Sequence, residues 1–275
     1  MTDDAAADAF REQPTVERLE AYYATHSSQE CAELAHDLLR AADGDARAAG
    51  LRLLSRAALG EPHIHDALDD AAVLAARDVS VAVRVAAAYA AGEVPTTRSI
   101  DVLVSLVRDT SSDVRSAVAS SLPLATDSQA PNPRVVGALV LLTADADATV
   151  RDFAAFGLGA QLPGADNAAV RAALHRLLDE PDTDEAYPAA EAAMGLALRG
   201  DATVAPVIAE RLRRGGGQLW LDAAATLAVP DLLPTLCALR GPGDDEADPW
   251  VQALEKAIAA CSDGEGPAAA VDRGR

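Results

Sequence analysis

Aromatic side chains are scarce in this 275-residue chain, at 3% of the residues against 50% hydrophobic residues overall. Alanine supplies much of the apolar share, and small side chains suit closely packed helices and suit sheets poorly. Cysteines are few and odd in number. Cys31, Cys237 and Cys261 form no CxxC pair, which argues against a disulfide framework or a zinc site and leaves them as buried thiols acting as small hydrophobes. Long apolar runs are missing: the longest, VVGALVLLTA at 135–144, is too short to span a bilayer. The N-terminal MTDDAAADAF is acidic and lacks the basic flank and apolar stretch of a secretion signal, so the chain is expected in the cytoplasm. No Walker loop, G-x-S-x-G elbow or dinucleotide fingerprint is present.

Positive charge is also short. Twenty-three basic residues stand against forty-three acidic ones, a net charge of −20, and Lys256 is the only lysine. Such a surface repels phosphate backbones, whose neutralisation drives sequence-independent nucleic-acid binding. Duplex DNA is therefore disfavoured unless arginine gathers on one face. A basic protein partner suits the field, while acidity serving solubility alone remains an equal reading.

What the chain does have is a repeat. RDVSVAVRVAAAYAAG at 77–92, LVRDTSSDVRSAVASSL at 106–122 and ADADATVRDFAAFGLG at 144–159 share one phrase: acid, short polar residues, Val-Arg, then small apolar residues. Val83, Ala87 and Ala91 are spaced i, i+4, i+8, as are Val114, Val118 and Leu122, and Val150, Ala154 and Leu158. Weaker copies start at Ala46, Ala186, Leu219 and Trp250. The seven anchors are separated by 37, 31, 36, 36, 33 and 31 residues. Each spacing places one stripe along a helix. The prefixes, such as Asp109, Ser111, Ser112 and Asp113, supply cap oxygens and negative charge for the first turn.

A second apolar helix lies in each period, for example at Ile100, Leu103 and Val107, or Val170, Leu174 and Leu177. Breakers stand between: Gly60-Glu61-Pro62, Gly92 to Pro95, Pro131 to Pro133, Pro163-Gly164 and Gly215 to Gly217. A single hairpin is too small to bury its own apolar face, and stacking buries it. The predicted fold is thus all-α, an α-solenoid of about seven helical hairpins. One domain is expected over 14–261, with a capping helix pair at 15–41, a disordered acidic segment at 1–13 and a flexible tail at 262–275.

The Asp-x-x-x-x-Val-Arg-x-x-Ala pattern on a period near 35 resembles the HEAT repeat, in particular the short prokaryotic phycobilin-lyase-like type. Asp78 to Val83-Arg84, Asp109 to Val114-Arg115 and Asp145 to Val150-Arg151 carry the resemblance, which spans roughly 28–261. The copies at 186, 219 and 250 have Tyr187, Trp220 and Val251 in place of the arginine. The resemblance implies that Arg84, Arg115 and Arg151 pair with Asp78, Asp109 and Asp145 of adjacent repeats as a structural ladder. It also implies that the second helices of the hairpins line the concave side, bringing the acids of 61–70 and 98–109 to it. The family includes scaffolds, bilin lyases, an iron-dependent deoxyhypusine hydroxylase and a DNA-repair branch, so the fold does not settle the activity.

Candidate chemistry is sparse. In His63-Ile64-His65-Asp66 the two histidines would project about 200° apart on a helix. His65 and Asp69 share a face at i, i+4, but two ligands do not close a metal site, and a solvated helix start explains the cluster. The hydroxylase branch uses His-Glu dipeptides, and none of the five histidines here precedes glutamate. No lyase motif transfers, and a glycosylase groove would need basic and aromatic residues. Gly157-Leu158-Gly159 reads as a helix C-terminal cap. Two stretches remain as candidate partner surfaces. One is Arg211, Arg213 and Arg214 with the triglycine and Trp220, whose alternative reading is arginines opposing the helix dipole. The other is Phe153 and Phe156, which serve the core unless exposed. The expected function is a non-catalytic scaffold or adaptor, without cofactor or metal, that binds a basic protein or peptide on its concave face. An enzyme or accessory of the bilin-lyase type and a nucleic-acid binder with an arginine face are the alternatives.

Overall fold

Each Val-Arg phrase opens a helix because alanine-rich segments have high helix propensity and their apolar stripe gains by burial. A computed structural model describes residues 15–181, 183, 186–241, 245 and 247–264. The segment 1–13 and residues 265–275 of the expected tail lie outside these. Ser262 and Asp263, assigned to that tail by sequence, instead complete the last helix, which Gly264 ends in the left-handed conformation (φ 64°).

Among the described residues the fold is helical throughout, with no strand. The helices are α1 (Val16–Tyr23), α2 (Ser28–Leu38), α3 (Gly44–Ala58), α4 (His65–Ala75), α5 (Val81–Glu93), α6 (Ser99–Leu106), α7 (Ser112–Ser121) and α8 (Pro133–Leu142). They continue as α9 (Ala148–Phe156), α10 (Ala168–Leu177), α11 (Pro188–Leu198), α12 (Ala205–Arg213), α13 (Gln218–Leu227), α14 (Leu233–Ala238) and α15 (Pro249–Asp263). The odd-numbered helices from α3 carry the seven anchors, except that α11 begins two residues past Ala186. Val83, Val114 and Val150 are at most 1% exposed. Leu103, Leu139, Leu174, Ile208 and Leu236 of the alternate helices are fully buried as well. This is the two-layer packing of an α-solenoid fold.

The chain packs as two compact units. One holds the residues up to Asp127 together with Asn132–Ala138, and the other holds Ser128–Pro131 with Leu139 onward. Within the first, α3, α5 and α7 lie directly on one another, while α4 and α6 touch lightly. Within the second, α9, α11, α13 and α15 stack directly, and contact between α12 and α14 is again lighter. In a curved two-layer stack, the layer with closer helices is the inner one. The Val-Arg helices therefore form the inner layer of each unit. The expectation that 61–70 and 98–109 line the concave side is reversed, because those segments belong to α4 and α6. Small residues decide this: a Cβ on Gly92 would come within 2.7 Å of Ser121, and one on Gly195 within 2.6 Å of the Gly159 Cα.

The Gly157-Leu158-Gly159 stretch also departs from its reading as a cap. It widens α9 into a π-helical turn, Gly157–Gln161, with Gly157 right-handed (φ −58°). Pro163 then offers no N–H, and the Gly164 N–H donates to the Ser128 carbonyl (3.0 Å), so the turn's carbonyls need other donors. Arg199, whose side chain is 2% exposed, supplies them. Its Nη2 donates to Leu158 (2.5 Å), Leu162 and Ala165, and its Nη1 to Gly159 (3.1 Å) and Gly195 (2.8 Å). Burial pulls its pKa down, since the guanidinium answers carbonyls and its nearest carboxylate, Asp166, stands 4.0 Å away.

Candidate functional site

The recurring arginine occupies the first turn of an inner helix and reaches the acid that precedes the next one. Arg47 Nε and Nη2 donate to both Asp78 oxygens at 2.8 Å, and Arg84 does the same to Asp109 at 2.7 and 2.9 Å. Arg151 meets Glu180 at 2.7 Å. The Nη1 groups turn back to loop carbonyls: Arg84 to Asp78, Arg115 to Asp109 and Arg151 to Asp145. The acids also fix their own loops. Asp78 accepts the Ser80 N–H, Asp109 that of Ser111 and Asp145 that of Asp147. The Ser80 and Ser111 hydroxyls, expected to accept at their helix starts, make no such bond, whereas the Asp43 and Asp147 carboxylates do accept there and cap their helices.

The Arg47 bonds hold the Asp78 carboxyl below its ordinary range. Burial pushes Asp109 up, but Arg84 and the Ser111 N–H outweigh it and the net shift is downward. These residues join repeats and are spent on each other. Arg47 and Glu180 were not among the residues singled out from sequence. Arg47 does stand directly after an anchor, and Glu180 lies one residue out of phase with the recurring aspartate.

His65 and Asp69 are not brought together as ligands. His65 Nε2 lies 3.2 Å from the Ala58 carbonyl, and buried Asp69 accepts the Thr96 hydroxyl. No group of three or more potential metal ligands occurs among the described residues. Two acids of the outer layer are matched by arginines one repeat on, Asp70 by Arg98 (2.6 Å) and Asp101 by Arg134 (2.7 Å).

The arginine-rich candidates are internal only at Arg211 and Trp220, while Arg213 and Arg214 are exposed. Trp220 is buried, with the Arg211 guanidinium 5.5 Å from its ring centre. Arg211 Nη2 donates to the Leu178 and Glu180 carbonyls at 2.9 and 2.6 Å. Arg213 and Arg214 both pair with Glu210, at 2.7 and 2.8 Å. Trp220 therefore serves packing and is withdrawn as a partner contact, because its indole fills the space beneath Arg211. A cavity of about 580 Å³ remains beside it, lined by Tyr187, Arg211, Arg214 and the triglycine.

Phe153 and Phe156 are not core residues. They are 37% and 38% exposed on α9, and Tyr187 is 46% exposed at the start of α11. Asp152 sits among them and accepts the Tyr187 N–H at 2.8 Å. One turn along α11 is Glu191, half-buried, whose carboxyl makes no hydrogen bond or ion pair with any described residue. Burial, reinforced by the charge of Asp152, pushes its pKa up to about 7. Two exposed aromatics of one inner helix and one of its neighbour thus lie on the same pair of helices as two carboxyls. Asp152 and Glu191 escaped the sequence reading, and Tyr187 entered it only as a departure from the Val-Arg phrase, because these residues meet across a repeat boundary.

Cys31 and Cys261 are buried, and burial raises their thiols to about 11, while Cys237 is exposed, contrary to expectation. No helix among the described residues is long and apolar enough to cross a membrane.

No protein-family model matches the chain, and no curated protein does. Solved structures do. YibA of Escherichia coli is similar over 95% of this chain and 93% of its own, at a TM-score of 0.76 and 21% identity. An engineered protein matches over 90% of this chain and 72% of its own, at a TM-score of 0.55 and 20% identity. Pds5, in its complex with Scc1, matches over 90% of this chain and 42% of its own, at 0.53 and 13%. At these identities the likeness concerns the fold, and it defines the class: a helical-repeat protein with HEAT-like architecture.

Proposed function

We propose that this chain is a non-catalytic, cytoplasmic scaffold that holds a protein or peptide, basic in character, against an inner helix layer. We place its repeats in the phycobilin-lyase-like HEAT type on the Asp-x-x-x-x-Val-Arg phrases. The observation that carries the functional reading is the exposure of Phe153, Phe156 and Tyr187 together in a chain so poor in aromatics. Exposed aromatics that cluster on one surface are typical anchors for a partner. The net charge of −20 favours a basic one. Stacked repeats whose arginines and acids are engaged in joining neighbours suit a rigid platform.

The test is affinity capture from native lysate with the wild-type chain and with a Phe153→Ser, Phe156→Ser double variant, at moderate and high salt. The expected result is a protein recovered by the wild type, lost with the variant and weakened by salt. Recovery of nucleic acid or of a coloured ligand would overturn the reading, as would a partner the double variant retains.

A further inference from the structure

We propose that the α9–α11 face is a receptor for a cationic side chain, an arginine or lysine that a partner presents next to apolar residues, and that Glu191 is its counter-ion. The proposal rests on the scaffold reading and adds the chemistry of one contact.

The register of the two helices places the residues. Asp152 accepts the Tyr187 N–H, and a Cβ on Gly159 would stand 3.1 Å from the Glu191 carbonyl oxygen. Phe156, one turn before that point, therefore runs level with Glu191, and Phe153 lies next to Asp152. The Gly159–Gly195 crossing draws the helices close enough for the charge of Asp152 to act on the Glu191 carboxyl across the groove.

Glu191 is half-buried and unanswered by any cation among the described residues, an expensive arrangement for a carboxyl unless something supplies the opposite charge. Burial and the charge of Asp152 raise its pKa, and a guanidinium or ammonium brought beside it would oppose that shift. The ring faces of Phe153, Phe156 and Tyr187 provide the other half of the recognition. Aromatic faces attract cations and cover the aliphatic stem that carries them. A hydroxyl or amide ligand would use the rings but leave Glu191 without a counter-charge, and an anionic ligand would be repelled by both carboxyls. The occupant that answers every group present is a cation on an apolar stem.

The test uses random-sequence peptides displayed on phage and selected on the full chain. The peptides are then synthesised and titrated by fluorescence anisotropy against the wild type, Glu191→Gln, Phe156→Ala and the distant control Asp66→Asn. Selected sequences should share an arginine or lysine beside apolar residues. Glu191→Gln should weaken them about tenfold or more, and Asp66→Asn should not. Replacing the peptide's arginine with citrulline should cost as much against the wild type and almost nothing against Glu191→Gln, the signature of one direct pair. Folding does not confound the result, because Glu191→Gln removes an unpaired charge and should melt no lower than the wild type at neutral pH. Peptides that bind without a cation, or that ignore Glu191→Gln, overturn this receptor and leave the scaffold reading standing. If no peptide is selected at all, both fall.

Discussion

Arg199→Met tests whether the π-helical turn depends on a side chain from the next repeat. Methionine keeps the length and apolar stem of arginine and removes every donor. The carbonyls of Leu158, Gly159, Leu162, Ala165 and Gly195 then lose the guanidinium. They are not equally exposed to that loss. Leu162 also receives the Ala165 N–H at 2.9 Å, so its carbonyl keeps a donor. Leu158 and Gly159 precede Pro163, and the Arg199 N–H that would close the turn on Gly195 points to Leu196 instead. Four carbonyls, those of Leu158, Gly159, Ala165 and Gly195, are left needing a donor in the interior, at about 1–3 kcal/mol each. Against this stands the recovered cost of burying a guanidinium. The expected net loss is about 3 kcal/mol, or a fall in Tm of about 6–12 °C for a chain of this size. Arg199→Lys, with a compact three-donor head, should fall between the two. Urea unfolding followed by far-ultraviolet circular dichroism measures the loss. A loss under about 1 kcal/mol for Arg199→Met would refute the assignment, since an idle buried arginine costs little to replace by an apolar side chain.

Glu191→Gln should reshape the pH dependence of stability. The folded carboxyl titrates near 7 against an ordinary 4.5, so in that window the folded state keeps a proton the unfolded state has released. Wild-type stability therefore falls as pH rises through the window, by about 1 kcal/mol once solvent screening of this half-exposed group is allowed for. Glutamine does not titrate: the two proteins should agree near about pH 4.5 and differ by that amount at about pH 8, with the variant the more stable. Equal denaturation midpoints at the higher pH would contradict this. Gly195→Ala should cost about 1–3 kcal/mol by pushing α11 off Gly159, whereas Gly137→Ala, exposed in α8 with nothing within 4 Å, should stabilise by about 0.5–1 kcal/mol. Native protein treated with a thiol-reactive disulfide reagent should label rapidly at Cys237 alone, with Cys31 and Cys261 reacting only on denaturation. Rapid release of more than one equivalent would sink that expectation.

The fold was legible because its rules are local. Val83, Ala87 and Ala91 announce a helix with one buried stripe by spacing alone, and repetition of the phrase implies that neighbouring hairpins share the burial. One rung of the arginine–acid ladder was legible for the same reason, since Arg84 and Asp109 recur in register, whereas Arg47 and Glu180 were missed. Local pattern could not say which layer is inner. That depends on how closely Gly92 approaches Ser121 and Gly195 approaches Gly159, contacts between residues about thirty or more positions apart. It could not place Phe153 and Phe156 outside and Trp220 inside either, because helical spacing gives a face its direction only once the neighbouring layer is known. The sequence by itself determined a stack of helical hairpins and the kind of residue that ties one to the next. Tertiary structure alone decided that the turn before Pro163 is answered by Arg199 and that Glu191 feels the charge of Asp152. Those partners belong to different repeats, and only packing brings them together.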